Sequence, residues 1–240
     1  MNVNFKYDSH APNKTLGEVN FTIHEGKVTA IVGTSGSGKT TIIKLLLGYY
    51  HVLDGEINIG TNNIDRFNMK WWRRQCGVVM QDGVISSESI ARNIAVSDEE
   101  IDKGRLIEAA RIANIDEYVM DLSLKYNTLI GQDGVGLNQG QKQRILIARA
   151  VYKNPQYIFL DEATNALDTN NERVIVENLM EFYKGKTVIV VAHRLSTVKN
   201  ADQIVVIDKG EIIEVGCHAE LINIKSAYYN LVKNQLELEN

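Results

Sequence analysis

The chain has 240 residues, of which 44% are apolar and two are proline, so it is long and apolar enough to fold around a sizeable core. Its 26 basic and 30 acidic residues give a net charge of −4, which argues against nucleic acid as a partner. The two cysteines, Cys76 and Cys217, are far apart, and this spacing predicts a reducing compartment rather than a disulfide framework or a zinc site. The longest apolar run, residues 188–192, is far too short to span a membrane, and the N-terminus lacks the features of a signal peptide. We therefore expect this chain by itself to be soluble and intracellular.

Short strands dominate the first third of the chain. Apolar alternation and β-branched residues predict strands at residues 2–7, 19–24, 27–32, 56–59 and 76–80, and a helix over residues 41–47 that Gly48 closes. From residue 83 to about residue 131 the spacing becomes helical, which indicates an inserted helical subdomain. The remaining elements are a helix at 139–152, a strand at 156–161, a helix at 171–182, a strand at 187–192, a hairpin formed by 204–208 and 211–215, and a helical tail from about residue 217.

A glycine-rich loop follows the strand at residues 27–32 and fits the phosphate-binding pattern G-x-x-x-x-G-K-[ST] at every fixed position. Its residues are Gly33, Thr34, Ser35, Gly36, Ser37, Gly38, Lys39 and Thr40. Backbone N–H groups of such a loop point inward at phosphate, and the following helix adds the positive end of its dipole. Lys39 would reach the β- and γ-phosphates of a nucleoside triphosphate, and the Thr40 hydroxyl would ligate Mg²⁺. The alternative is a chance match of a Gly/Ser-rich loop, but the strand before it and the helix after it are the context that the motif requires.

Two adjacent carboxylates end the apolar strand at residues 156–161. Asp161 would hold Mg²⁺, directly or through water, and Glu162 would act as general base toward the attacking water. An ordinary strand that ends in an acidic turn is the alternative. These features together predict one α/β domain over residues 1–240: a P-loop NTPase core with a flanking antiparallel β-subdomain (about 1–82 and 153–240) and an inserted α-helical subdomain (about 83–152).

Six motifs occur in the order found in ATP-binding-cassette ATPases, and the chain resembles that family from Val3 to about Leu231. They are the loop at residues 33–40, Gln81, the stretch Leu137, Asn138, Gln139, Gly140 and Gln141, the pair Asp161 and Glu162, the stretch Asn165, Ala166, Leu167 and Asp168, and His193. Within the family, the chain looks most like the ATPase domain of exporters, especially those of peptides and bacteriocins.

The resemblance implies a role for each matching residue. Tyr7 would stack on adenine, Gln81 would contact Mg²⁺ and relay the nucleotide state, and His193 would contact the γ-phosphate. A core-edge tyrosine, a solvated loop glutamine and a structural histidine are the respective alternatives. Residues 33–41, including Thr41, would hold ATP in one copy, while residues 138–141 and Asp168 of a second copy would close over it.

The chain departs from the commonest family pattern in several places. In the signature stretch, Asn138 replaces Ser and Gln139 replaces the first Gly, and Asn165 replaces Ser before Asp168. Gln132 replaces a Glu in the loop that meets the membrane domain, and residues 82–89 lack the usual Leu-Phe pair. Asn138 should still cap the helix that begins at residue 139. A plain capped helix, with no role in a second copy's site, remains the alternative.

The resemblance implies a homodimer around two Mg-ATP that powers export through a transmembrane domain, on the same or a separate chain, at the cytoplasmic side of the membrane. A soluble ATPase of the same family without a membrane partner and a non-hydrolysing ATP-dependent dimerisation module are the alternatives.

Overall fold

The computed structural model describes residues 2–8, 14–96, 98–131, 134–192 and 195–238. Contacts divide the chain into two compact units, the first made of residues 1–76 and 185–240 and the second of residues 77–184. The predicted helical subdomain, residues 83–152, falls within the second unit, which also takes in the next strand and helix. The boundaries given above for the α/β core stay a prediction.

The helices and strands follow one another in three groups. The first unit opens with β1 (Val3–Phe5), β2 (Leu16–Val19), β3 (Val28–Val32), α1 (Lys39–Leu46), β4 (Asn58–Ile59), β5 (Asn62–Asn63) and α2 (Met69–Gln75). Next come β6 (Cys76–Val79), α3 (Ile90–Ile94), α4 (Lys103–Ile112), α5 (Asp116–Asp121), α6 (Gln139–Tyr152), β7 (Tyr157–Asp161) and α7 (Thr169–Phe182). The chain ends with β8 (Thr187–Val191), α8 (Leu195–Val198), β9 (Gln203–Asp208), β10 (Glu211–Gly216), α9 (His218–Ile224) and α10 (Ala227–Leu238).

The first unit is built on four strands that pair in the order β10, β9, β3, β8. Strand β3 is parallel to both β8 and β9, and β9 and β10 form the predicted antiparallel hairpin. Parallel strands are covered on both faces, which explains their continuous β-branched runs. Ile31 in β3, Val190 in β8 and Val205 in β9 are all buried.

Two small antiparallel pairs, β1 with β2 and β4 with β5, lie outside that sheet. The predicted strand at residues 19–24 is wrong, because β2 spans Leu16–Val19 instead. Pairing with the short β1 reaches only as far as Val3 opposite Val19, so the alternating residues 20–24 join no strand ladder of the described chain. Helix α2 was not predicted from its seven residues; its local signal is Asn68, whose side chain accepts from the N–H groups of Lys70 and Trp71.

In the second unit, β6 and β7 are neighbours, and α6 forms the centre of the helical part. Helices α3 and α4 pack on α6, whose Ile145, Ile147 and Ala148 are almost completely buried. The side chain of Arg149 in α6 donates from Nε to the carbonyl of Asn93 at 2.7 Å and from Nη1 to the carbonyl of Val84 at 3.1 Å. The α6 helix therefore also fixes the segment that leads into α3.

None of the helices formed by the described residues is both long and apolar enough to cross a membrane.

The turn after β3 passes directly against the backbone of β9. Gly33 has φ +154°, and a Cβ there would lie 2.0 Å from the carbonyl oxygen of Ile207. Gly36, three residues later, has φ +76°, but a Cβ at that position would have no atom within 4 Å. Glycine at residue 33 is thus required by space, whereas at residue 36 it relieves only backbone strain.

Gly33→Ala should lower the free energy of unfolding by about 3 kcal/mol or more, because neither backbone can move without opening the β3–β9 pair. Gly36→Ala should cost about 1 kcal/mol, the strain of a positive φ alone. Urea unfolding followed by circular dichroism measures both. Equal losses for the two variants would contradict the close approach of the turn to Ile207.

Candidate nucleotide-binding site

Lys39 is the first residue of α1, and its buried side chain packs against the glycine-rich loop. Its Nζ donates to the carbonyl of Gly33 at 2.9 Å and to that of Thr34 at 2.7 Å, and the residue is 5% exposed. The ammonium places a positive charge inside the loop, where burial strengthens its interactions with other charges. A nearby phosphate would be attracted to this charge.

The start of α1 adds further donors at the same point. Gly38 is the N-cap, so no side chain satisfies the first N–H groups, and the first turn carries no acidic residue. Unsatisfied N–H groups and the helix dipole make such a helix start an anion site. The loop and the helix thus fit the phosphates of a nucleotide.

Hydrogen bonds hold the loop in place, while three of its residues remain exposed. The N–H of Gly210 donates to the carbonyl of Ser37 at 3.0 Å, and the Thr34 hydroxyl donates to Asp208 Oδ1 at 3.1 Å. Ser37 is 2% exposed, while Thr34, Ser35 and Gly36 are exposed. The β9–β10 hairpin therefore holds the loop through hydrogen bonds and leaves residues 34–36 accessible to a ligand.

Tyr7 lies beside α1, next to the loop. Its hydroxyl is 3.1 Å from the Thr41 hydroxyl, and its ring contacts Phe5 and Tyr50 edge to face at centroid distances of 4.9 and 5.1 Å. The side chain nevertheless stays 49% exposed. An aromatic ring that is fixed by its neighbours and still half exposed suits stacking on a base.

The two adjacent carboxylates lie in the second unit, where β7 ends. Asp161 is completely buried, and Glu162 follows it with φ +53°, a left-handed conformation that is uncommon outside glycine. Asn165 Nδ2 donates to the Glu162 carboxylate at 2.8 Å. The Asn that departs from the family's usual Ser therefore holds the predicted general base in place.

The signature stretch begins α6 with a capping box. Asn138 Oδ1 accepts from the N–H of Gln141 at 2.8 Å, and Gln141 Oε1 accepts from the N–H of Asn138 at 2.9 Å. The prediction that Asn138 caps this helix is confirmed. The cap occupies the side-chain carbonyl oxygen of Asn138, while its Nδ2 group is a donor that the capping box does not use.

Asp168 ends the neighbouring loop as the N-cap of α7, accepting from the N–H of Asn171 at 3.1 Å. This loop contacts the signature stretch directly: a Cβ on Gly140 would lie 3.2 Å from the carbonyl oxygen of Ala166. Gly140 thus allows the two segments to pack closely within the second unit. Burial lowers the pKa of the nearby Arg144 guanidinium, and the Asp168 charge opposes that shift.

The predicted residues thus fall into two sets. The first unit contains Tyr7 and residues 33–41, and the second unit contains residues 138–141, Asp161, Glu162 and Asp168. Gln81, also in the second unit, is exposed two residues beyond β6. His193, Gln132 and their predicted roles lie outside the described residues. The hydrogen bonds of Asn165 with Glu162 and of Asn171 with Asp168 each join residues three positions apart, and neither was predicted from the sequence.

Three comparisons with known proteins agree. The model of the ABC transporter family matches residues 16–165. The chain is 45% identical over 237 residues to the leukotoxin translocation ATP-binding protein LktB of Mannheimia haemolytica and to that of Bibersteinia trehalosi, a match that covers 99% of this chain and 33% of each relative. The chain spans about a third of the length of these curated relatives.

A solved structure described as a bacterial Atm1-family ABC exporter with ATP bound matches with a TM-score of 0.93 and 35% identity, over 98% of this chain and 41% of that one. The predicted α/β P-loop fold and the predicted family are confirmed. The chain belongs to the ABC transporter family, and its residues form the ATPase domain of that family.

Proposed function

We propose that this domain hydrolyses Mg-ATP between two copies of itself and so powers an exporter's transmembrane domain at the cytoplasmic side of a membrane. The observation that carries this proposal is the enclosed Lys39 ammonium at the uncapped start of α1. The matches with exporter proteins support the membrane partner, on the same or a separate chain, and do not favour a soluble ATPase. The names of the relatives make a polypeptide cargo the first candidate.

In this proposal, the loop residues of one copy hold the phosphates. Lys39 and the α1 N–H groups bind the β- and γ-phosphates, and Tyr7 stacks on the adenine. Residues Asn138, Gln139, Gly140, Gln141 and Asp168 of the second copy close over the same nucleotide. Each copy contributes both halves, so a twofold dimer has two equivalent sites.

Magnesium would be held by the Thr40 hydroxyl, Asp161 and Gln81. The described residues contain no cluster of three or more His, Cys, Asp and Glu side chains that could hold a metal alone. A hydroxyl, a carboxylate and an amide oxygen are hard donors that suit Mg²⁺, which usually takes few protein oxygens and completes its shell with phosphates and water. When bound, the ion would neutralise charge on the phosphates.

Glu162 would accept a proton from the attacking water, with Asn165 holding its carboxylate and His193 approaching the γ-phosphate. Loss of the γ-phosphate would remove the group that both copies grip. The dimer would then open, which converts hydrolysis into movement of the attached membrane domain.

Lys39→Ala should weaken ATP binding by at least about tenfold, because the phosphates lose a charged hydrogen-bond donor. Titration of a fluorescent ATP analogue measures the affinity. Lys27→Ala is the matched control, because Lys27 pairs with Asp202 on the surface at the other end of β3. Unchanged affinity in Lys39→Ala would contradict the assignment of the loop.

Glu162→Gln should lower kcat by about 10²–10⁴-fold and leave ATP affinity intact, because the change removes the base and keeps the size of the side chain. Phosphate release at saturating Mg-ATP gives the rate. Glu177→Gln, the same change on an exposed residue of α7, should hydrolyse ATP normally. A near wild-type rate in Glu162→Gln would exclude Glu162 as the base.

A further inference from the structure

Asn171 donates hydrogen bonds to both oxygens of the Asp168 carboxylate. The backbone N–H of Asn171 donates to Oδ1 at 3.1 Å, and the Asn171 side chain donates from Nδ2 to Oδ2 at 2.6 Å. Hydrogen bonds to an ionised carboxylate are the strong ones, and two of them in different directions fix its orientation. Asn171 therefore helps to fix the direction in which Asp168 presents its charge.

The same Asn171 side chain reaches the turn between α4 and α5. Its Oδ1 accepts from Asn114 Nδ2 at 2.7 Å. Asn114 has φ +52°, a left-handed conformation that Asn tolerates, and its carbonyl accepts from Arg144 Nη1 at 2.7 Å. Arg144 belongs to α6, the helix that begins with the signature stretch. Asn171 thus connects Asp168, through Asn114, to the signature helix.

A second asparagine on α7 makes a similar contact without the link to Asp168. Asn178 donates from Nδ2 to the carbonyl of Ile112 at 3.2 Å and lies 3.4 Å from that of Arg111. Asn178 therefore also attaches α7 to the end of α4. What distinguishes Asn171 is that one amide serves both the α4–α5 turn and the Asp168 carboxylate.

We propose that Asn171 is a positioning residue that makes the Asp168 loop and the signature helix move as one body toward the partner's nucleotide. This inference rests on the proposed function, in which Asp168 and residues 138–141 act together on ATP bound to the second copy. The close approach of Gly140 to the carbonyl of Ala166 joins the two segments at one end, and Asn171 joins them at the other. Without the Asn171 amide, each segment would have to be ordered separately when the dimer closes.

Hydrogen exchange of the nucleotide-free protein tests the connection itself. In Asn171→Ala, the N–H groups of residues 165–168 and 113–116 should both exchange about tenfold faster, because the bridge that protects them is gone. The variant keeps a good helix former in α7 and keeps the backbone N–H of residue 171, which donates to the Asp168 cap. In the matched control Asn178→Ala, residues 165–168 should exchange as in the wild type. Unchanged exchange at residues 165–168 in Asn171→Ala would overturn the inference.

The affinity of the dimer tests whether Asn171 also aids the closure of one copy over the nucleotide of the other. In a Glu162→Gln background with Mg-ATP, Asn171→Ala should raise the dimer dissociation constant about tenfold, whereas Asn178→Ala should not change it. Asn171→Asp cannot donate to Asp168, so its dimer dissociation constant should be at least as high as that of Asn171→Ala. Asn171→Thr should recover part of the loss, because a hydroxyl can donate to Asp168 and accept from Asn114. Sedimentation velocity measures the constants.

ATP affinity and melting temperature separate positioning from a general loss of structure. ATP affinity of the monomer should be the same in all of these variants, and the two Asn→Ala variants should melt at similar temperatures. A dimer that weakens equally in Asn178→Ala, or that is unaffected in Asn171→Asp, would overturn the inference. Failure of Glu162→Gln itself to dimerise would instead count against the proposed function, and the exchange comparison alone would then decide the role of Asn171.

Discussion

The Lys39 ammonium, enclosed by the carbonyls of Gly33 and Thr34, is the interaction on which the first unit's site depends. A buried positive charge costs free energy unless polar groups face it, so the loop must wrap around it. That shape needs support from outside the loop. The support comes from β9 and β10, through the contact of Gly33 with the Ile207 carbonyl and the bond from Gly210 to Ser37. Residues near the end of the chain thereby shape a loop near its beginning.

In the second unit, the predicted site residues lie at the ends of strands and helices. Strand β7 ends at the buried Asp161, and the chain then bends through Glu162 in a left-handed conformation. The starts of α6 and α7 present Asn138 and Asp168 as caps. A helix cap is held by its own helix, so these polar groups are ordered before any ligand arrives. Such ordering lowers the entropy that binding must overcome.

Much of this arrangement could be predicted from the sequence, because it depends on local signals. The β-branched run and the glycine pattern predict β3, the loop and α1, and the spacing of apolar residues predicts α6 with its bounds at Gln139 and Tyr152. The alternation of apolar and polar residues predicted a strand at 19–24, which is wrong because β1 is too short to pair with it. Helix α2 is too short for a periodic signal. The bridge from Asn114 to Asn171 joins residues 57 positions apart, and no local pattern reports such a contact.

The most direct test of the account is the solution mass of Glu162→Gln, measured by light scattering with and without Mg-ATP. The proposed mechanism predicts a monomer without nucleotide and a dimer with Mg-ATP, because the phosphates are then gripped by the loop of one copy and by residues 138–141 of the other. A protein that binds ATP and yet stays monomeric would contradict the grip from the second copy.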